Sequence, residues 1–134
     1  MKPKYMLDTN ICIYLMKHQP AQARQRFAEC YVGDVVISAI TLAELEFGVA
    51  NSAKSRIRNQ AALESFLEDI VVAPFESTAA RAYGPIRAAN QARGQDALDN
   101  LIAAHAVSLG VTLVTNNVGD FQRFAGLKIE NWVF

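Results

Sequence analysis

Apolar positions along this chain follow two rhythms. The runs KYML, ending at Asp8, DVVISAI, IVVAPF (Ile70 to Phe75) and VTLVT are short and rich in aliphatic or β-branched residues, as buried strands are. LKIENWVF is a last strand candidate. The segments between them repeat at helical spacing. TNICIYLMKH sets Ile11, Tyr14 and Leu15 on one face, and His18 through Pro20 end it. PAQARQRFAECY reads as a second helix with Pro20 near its first turn. TLAELEFGVANSA begins a helix whose Leu42, Leu45 and Val49 share a face, and a further helix covers roughly Arg56 to Leu67. ESTAARAYGPIRAANQARG is mostly helix-forming, but Gly84-Pro85 predicts a kink or break, because proline lacks the N–H and disfavours helical geometry before it. DALDNLIAAHAVSLG is a helix closed by Gly110, and VGDFQRF a short helical turn. Short strands alternating with helices predict an α/β fold with a central, largely parallel sheet flanked by helices on both faces. No repeat, linker or low-complexity tract interrupts residues 1–134, so a single domain is expected.

Composition narrows the class. About half of the residues are apolar (51%) and 19% are charged, which suits a globular domain and not a disordered chain. Thirteen lysines and arginines balance thirteen acids. That balance argues mildly against a nucleic-acid binder, unless several carboxylates gather in one site and leave the remaining surface net positive. The apolar run after Lys2 and Lys4 is interrupted by Asp8 and Asn10, unlike a signal peptide. VVISAITLA is about half a membrane span, stopped by Glu44 and Glu46. Cys12 and Cys30 lack metal-type spacing and are expected to be free thiols. Together these predict a cytoplasmic protein without a membrane segment.

Candidate chemistry sits at the ends of the strands. In an open α/β sheet, ligands bind outside the carboxyl ends of the strands. Asp8 ends the first strand, Glu44 lies at the start of the helix after the second, and Asp99 is in the first turn of the helix before VTLVT. Asn116, Asn117 and Asp120 follow that strand. Each has a plainer explanation: Asp8 as an N-cap, TLAE as a capping box, and Asp96 to Asp99 as a cap plus a first-turn acid. Crowded carboxylates without a cation raise one another's pKa. A divalent metal relieves that cost, and oxygen-only ligands favour Mg²⁺ or Mn²⁺ over zinc.

The ordered set MLDTN, SAITLAELEFG, DNLIAAHAVSLGVTLVTNNVGDF and GLKIENW resembles the PIN-domain ribonucleases, and within them the VapC toxins of bacterial VapBC toxin–antitoxin pairs. The similarity covers essentially the whole chain. It implies a PIN-like fold and a Mg²⁺-dependent endoribonuclease, with Mn²⁺ substituting, that cuts RNA, most often transfer RNA, and so inhibits translation. Asp8, Glu44 and Asp99 match the family's acidic positions in LDTN, T-x-x-E and D-x-x-I-A-A. The resemblance implies Asp8 and Asp99 as metal ligands, with Glu44 orienting or deprotonating the attacking water. Many relatives have an aspartate where this chain has Asn117, so either Asp120 supplies the fourth acid or Asn117 ligates through its carbonyl oxygen. The segment before Asp99 is shorter than in many relatives and adds Asp96 as an accessory candidate. The implied partners are a VapB-type antitoxin and the RNA substrate. A homodimer joined into a higher-order toxin–antitoxin complex is also implied, with promoter DNA bound only through the antitoxin.

Other residues carry weaker signals. Arg87, Arg93 and Arg123 flank the segments bearing Asp99 and Asp120 and would guide an RNA backbone, or else form a solvated face. Tyr14 and Tyr83 would stack on bases or pack in the core. His105 has no second histidine at ligand spacing and reads as a core or helix-surface residue; His18 reads as a helix end. A dehalogenase-type phosphatase would need an aspartate where Asn10 stands, and a receiver domain would need one where IVVAPF ends in Phe75. The remaining alternative is a PIN-like binding module with weak or no nuclease activity.

Overall fold

The computed structural model describes residues 2–90 and 97–133, so Asp96 and Arg93 lie outside the described residues. In chain order it contains β1 (Tyr5–Leu7), α1 (Thr9–Met16), α2 (Ala21–Ala28), β2 (Val35–Ser38), α3 (Ala39–Ala50) and a 3-10 turn (Ala53–Ser55). There follow α4 (Arg56–Leu67), β3 (Val71–Ala73), α5 (Ser77–Ala89), α6 (Ala97–Leu109), β4 (Thr112–Val114), α7 (Val118–Phe121) and β5 (Lys128–Glu130). The five strands form one sheet in the order β3-β2-β1-β4-β5, and every neighbouring pair is parallel. The sheet is therefore wholly parallel, as the alternation of strands and helices requires.

Side chains alternate across each strand and so divide into two cores. Leu7, Val35, Ile37 and Val114 pack with Ile11, Leu45, Leu63, Phe66 and Trp132 on one face. Met6, Val36 and Leu113 pack with Ile102, Ala103, Ala106 and Phe121 on the other. Burial on both faces explains why the strands read as continuous apolar runs. Helix α6 buries Ala103, Ala104 and Ala106 completely, and these small side chains let it lie close to the sheet and along α5. Gly110, at φ +68°, ends α6 in the left-handed region, where glycine carries no Cβ penalty.

Three local expectations are corrected. Helix α5 runs unbroken from Ser77 to Ala89 with Pro85 inside it. Gly84, Pro85 and Arg81 are all exposed, so the carbonyl that loses its intrahelical partner sits where water can satisfy it, while α6 supports the opposite face. DVVISAI is strand only to Ser38, because the Ser38 hydroxyl accepts the Ile40 N–H at 3.0 Å and caps α3. Helix α3 thus begins before TLAE: Thr41 is buried inside its first turn, and Glu44 belongs to no capping box. IVVAPF contributes only Val71–Ala73 as strand; Pro74 has no N–H to continue the ladder.

Candidate active site

The chain leaves β1 toward β2 on one side and later returns to β4 on the other, which opens a crevice at the carboxyl ends of β1 and β4. Asp8 stands at that point. It is 4% exposed, its N–H donates to the Val114 carbonyl at 3.0 Å, and its Oδ1 accepts the Ile11 N–H at 2.9 Å. The N-cap reading is thus correct in geometry, and it leaves the carboxylate at the switch point.

Burial pushes the Asp8 carboxyl above its ordinary value of 3.8, and the nearby charge of Glu44 adds to that rise. Hydrogen bonds from the Thr115 hydroxyl and from the Ile11 and Asn10 backbone oppose it without cancelling it. Thr115 is fully buried at the end of β4, and its hydroxyl also accepts the Asn117 N–H at 2.9 Å. Glu44, half-buried in the second turn of α3, accepts a hydrogen bond from Thr9 Oγ1 at 2.7 Å. The two carboxylates are therefore held beside one another by threonines from α1 and from the end of β4. Neither threonine was singled out from the sequence; hydroxyl residues directly after LD and after VTLV are the signal that marks them.

Asp99 is half-buried in the first turn of α6. Since α6 leads into the start of parallel β4, its own N-terminus lies toward the carboxyl edge of the sheet. Asp120 is half-buried in α7 just beyond β4, and Asn117 is exposed at the N-cap of the same helix without a side-chain capping bond. The topology thus sends all four acidic positions toward one edge, and the charge of Glu44 reaches Asp8 there.

Three buried oxygens at this edge have no hydrogen-bond partner among the described residues: Thr41 Oγ1 in the first turn of α3, Asn100 Oδ1 beside Asp99, and Asn116 Oδ1 after β4. A buried unsatisfied acceptor costs about 1–3 kcal/mol. Orphaned oxygens beside carboxylates that repel one another suit a hard, hydrated divalent cation, which takes oxygen donors only. Among the described residues, no group of three or more His, Cys, Asp or Glu side chains is gathered so that it could hold a metal ion. The donor chemistry fits a hard divalent cation, and Asp8 and Glu44 are two acids that the fold brings into electrostatic contact.

The other candidates have structural places. Arg87 is exposed, donates to the Tyr83 hydroxyl at 3.0 Å and lies 5.8 Å from the Tyr83 ring centre. Arg123 lies 4.3 Å from the centre of the Phe124 ring. The Tyr14 hydroxyl accepts from Asn116 Nδ2 at 3.0 Å, tying α1 to the end of β4. His18 is exposed just after α1, with a positive φ of 57°. His105 is buried and bonded to Ser38. Cys12 and Cys30 are free, and burial raises the Cys12 thiol pKa well above its ordinary value, with the charge of Asp8 adding to it. No described helix is long and apolar enough to cross a membrane.

Comparison with known proteins places the chain in a family. The sequence matches the PIN domain over residues 5–127. It is 44% identical over 131 residues to the tRNA(fMet)-specific endonuclease VapC of Shigella flexneri, covering 96% of this chain and 98% of that protein. Ribonuclease VapC2 of Haemophilus influenzae is 40% identical over 132 residues, covering 97% of this chain and 98% of its own. Among solved structures, DNA-bound VapBC from Salmonella typhimurium aligns at TM-score 0.88 and 39% identity, over 97% of this chain and 98% of the matched one. VapBC2 from Rickettsia felis, bound to a fragment of promoter DNA, aligns at 0.84 and 36%, over 96% and 98%.

Proposed function

The chain belongs to the PIN-domain family as a VapC-type endoribonuclease of a VapBC toxin–antitoxin pair, and from that premise we propose a Mg²⁺-dependent toxin that hydrolyses transfer RNA. The observation that carries the metal and site assignment is the buried Asp8 carboxylate beside Glu44 at the switch point of the sheet. Asp8 and Asp99 would hold the cation, with Asp120 completing the acidic edge and Asn117 or Asp96 in accessory roles. A divalent cation held there would supply charge neutralisation at the phosphate and a more acidic water. Glu44, fixed by Thr9, would orient the attacking water and accept its proton. Thr115 and the Ile11 N–H hold Asp8 in one rotamer, so little reorganisation is needed when substrate arrives.

The initiator transfer RNA named for the Shigella relative is the expected substrate class, and a cut there would stop translation. A VapB-type antitoxin is the expected partner, with promoter DNA reached through it; the Rickettsia VapBC2 is bound to a fragment of promoter DNA and the Salmonella VapBC to DNA. A cytoplasmic homodimer is the expected assembly. Asn117, where many relatives carry an aspartate, and the short segment before Asp99 favour a second reading, a binding module with weak or no turnover. Purified protein freed of antitoxin, incubated with transfer RNA and Mg²⁺, separates the two. Cleavage that disappears in Asp8→Asn and on chelation supports the nuclease; saturable Mn²⁺ binding without cleavage of any RNA supports the module.

A further inference from the structure

His105 has no place in the chemistry above, yet it joins three segments that build the site. Its Nδ1 lies 2.8 Å from Ser38 Oγ in a buried contact spanning 67 positions of sequence. Its ring packs edge-on against Phe75, with centroids 5.2 Å apart and planes at 74°. The Pro74 backbone lies beside the imidazole, and Ser38 Oγ accepts the Ile40 N–H at 3.0 Å while meeting His105 Nδ1. One histidine therefore clasps the β2–α3 junction and the β3–α5 junction to α6.

The position of this clasp matters. Ser38 is the N-cap of α3, and Glu44 follows six residues later; His105 lies six residues after Asp99 in α6. At 1.5 Å of rise per residue, each acid stands about 9 Å along its helix from the shared hydrogen bond. The two acid-bearing helices are thus pinned to one another at one point. A small shift at the pin moves Glu44 relative to Asp99, and misplacement of about 1 Å in a site costs on the order of a hundredfold in rate.

We propose that His105 is a positioning residue whose hydrogen bond to Ser38 sets the spacing of Glu44 and Asp99. This rests on the reading of those acids as the metal site. Two variants separate it from a packing role. His105→Asn keeps a polar atom near the Nδ1 position that meets Ser38. His105→Gln carries its polar atoms one bond further out and gives up that position. Mn²⁺ affinity by titration calorimetry, kcat and KM for transfer RNA cleavage, and melting temperature are measured for both. The expected result is Mn²⁺ affinity and kcat within about threefold of wild type for Asn, both reduced tenfold or more for Gln, and KM little changed, at similar melting temperatures. Equal behaviour of the two variants, whether both intact or both impaired, overturns the proposal. If wild type binds Mn²⁺ and loses it in Asp8→Asn while the Gln variant binds normally, the site reading stands and the role of His105 falls. If wild type binds no Mn²⁺ and Asp8→Asn still cleaves, the site reading falls and takes this role with it.

Discussion

Thr9 Oγ1 donates to Glu44 Oε1 at 2.7 Å, although 35 positions of sequence separate the two residues. Thr9 is the residue directly after Asp8, so one turn of chain both aims the first carboxylate and restrains the second. Glu44 sits on α3, which packs against α1. The bond converts that packing into a defined direction for the carboxylate.

Replacing Thr9 by Val is therefore expected to leave the fold intact and lower kcat about tenfold to a hundredfold. A hydrogen bond to a charged acceptor is worth about 1.5–3 kcal/mol, and each 1.4 kcal/mol is a factor of ten. Thr9→Ser should retain most of the activity. Single-turnover RNA cleavage measures both, and a fully active Val variant would show that Glu44 needs no such restraint.

The sheet was legible in the sequence because its signals are local. Apolar runs of four to seven residues are visible in the string, and so is the aspartate that closes the first of them. What was not legible depends on contacts made across the fold. Ser38, not Thr41, caps α3, since the choice between two hydroxyls three positions apart is decided by where the sheet hydrogen bonds stop. Pro85 stays inside α5 because α6 covers the other side of that helix, a tertiary gain that overrides proline's local preference. His105 looked like a bland core histidine, and it is buried; its partner lies 67 positions away, which no spacing rule reveals.

Asp8→Asn should make the metal-free protein more stable while abolishing turnover. The Asp8 pKa is raised in the fold by burial first and Glu44 second, so the folded chain holds this proton to higher pH than the unfolded chain does. Its contribution to stability is full below about 3.8 and is lost as pH rises through the higher folded value. At neutral pH the charge is a net penalty. Asparagine removes it and still accepts the Ile11 N–H as an N-cap. A rise of about 3–5 °C is expected, roughly the shift 1 kcal/mol gives in a domain of this size. Mg²⁺ should raise the melting temperature of wild type and not of the variant. A variant that melts lower across pH 5–8 would contradict this account.

His105 predicts the opposite slope. Burial lowers its pKa from 6.5, so the unfolded chain takes up this proton first as pH falls. The stability held by the neutral ring is complete above 6.5 and declines below it, down through the lowered folded value. His105→Asn should flatten the loss of stability between pH 6.5 and 5 in urea titrations. An unchanged slope would mean that another group governs that range.

At the other end of the sheet, Glu130 Oε1 accepts from Arg26 Nη2 at 2.6 Å and from Trp132 Nε1 at 3.1 Å, and the Arg26 guanidinium lies 5.2 Å from the centre of the Trp132 ring. Trp132 is 1% exposed and meets Tyr5 edge-on at 5.3 Å, whereas the Arg26 and Glu130 side chains are about 40% exposed. Burial should dominate over charge here. Trp132→Ala is expected to cost about 3–5 kcal/mol, and Arg26→Ala about 1 kcal/mol or less. Urea unfolding gives both numbers. An Arg26→Ala loss comparable to that of Trp132→Ala would make the ion pair the main fastening of β5.

The fourth acidic position is decided by two residues of one short helix. Asp120 is half-buried in α7 beyond β4, whereas Asn117 is exposed, its side chain makes no capping bond, and its backbone bonds to Thr115, Asp120 and Phe121. A ligand must have its charge held near the site, and a carboxylate on a helix packed through Phe121 into the core meets that need better than an exposed amide. Asp120→Asn is therefore expected to reduce cleavage at least tenfold and to weaken Mn²⁺ binding. Asn117→Ala should change either by less than about threefold. Asn117→Asp offers the inverse test, because an added carboxylate there should restore part of the activity lost in Asp120→Asn if the two positions face the same cation. Failure of that rescue, with Asp120→Asn itself fully active, would remove α7 from the site.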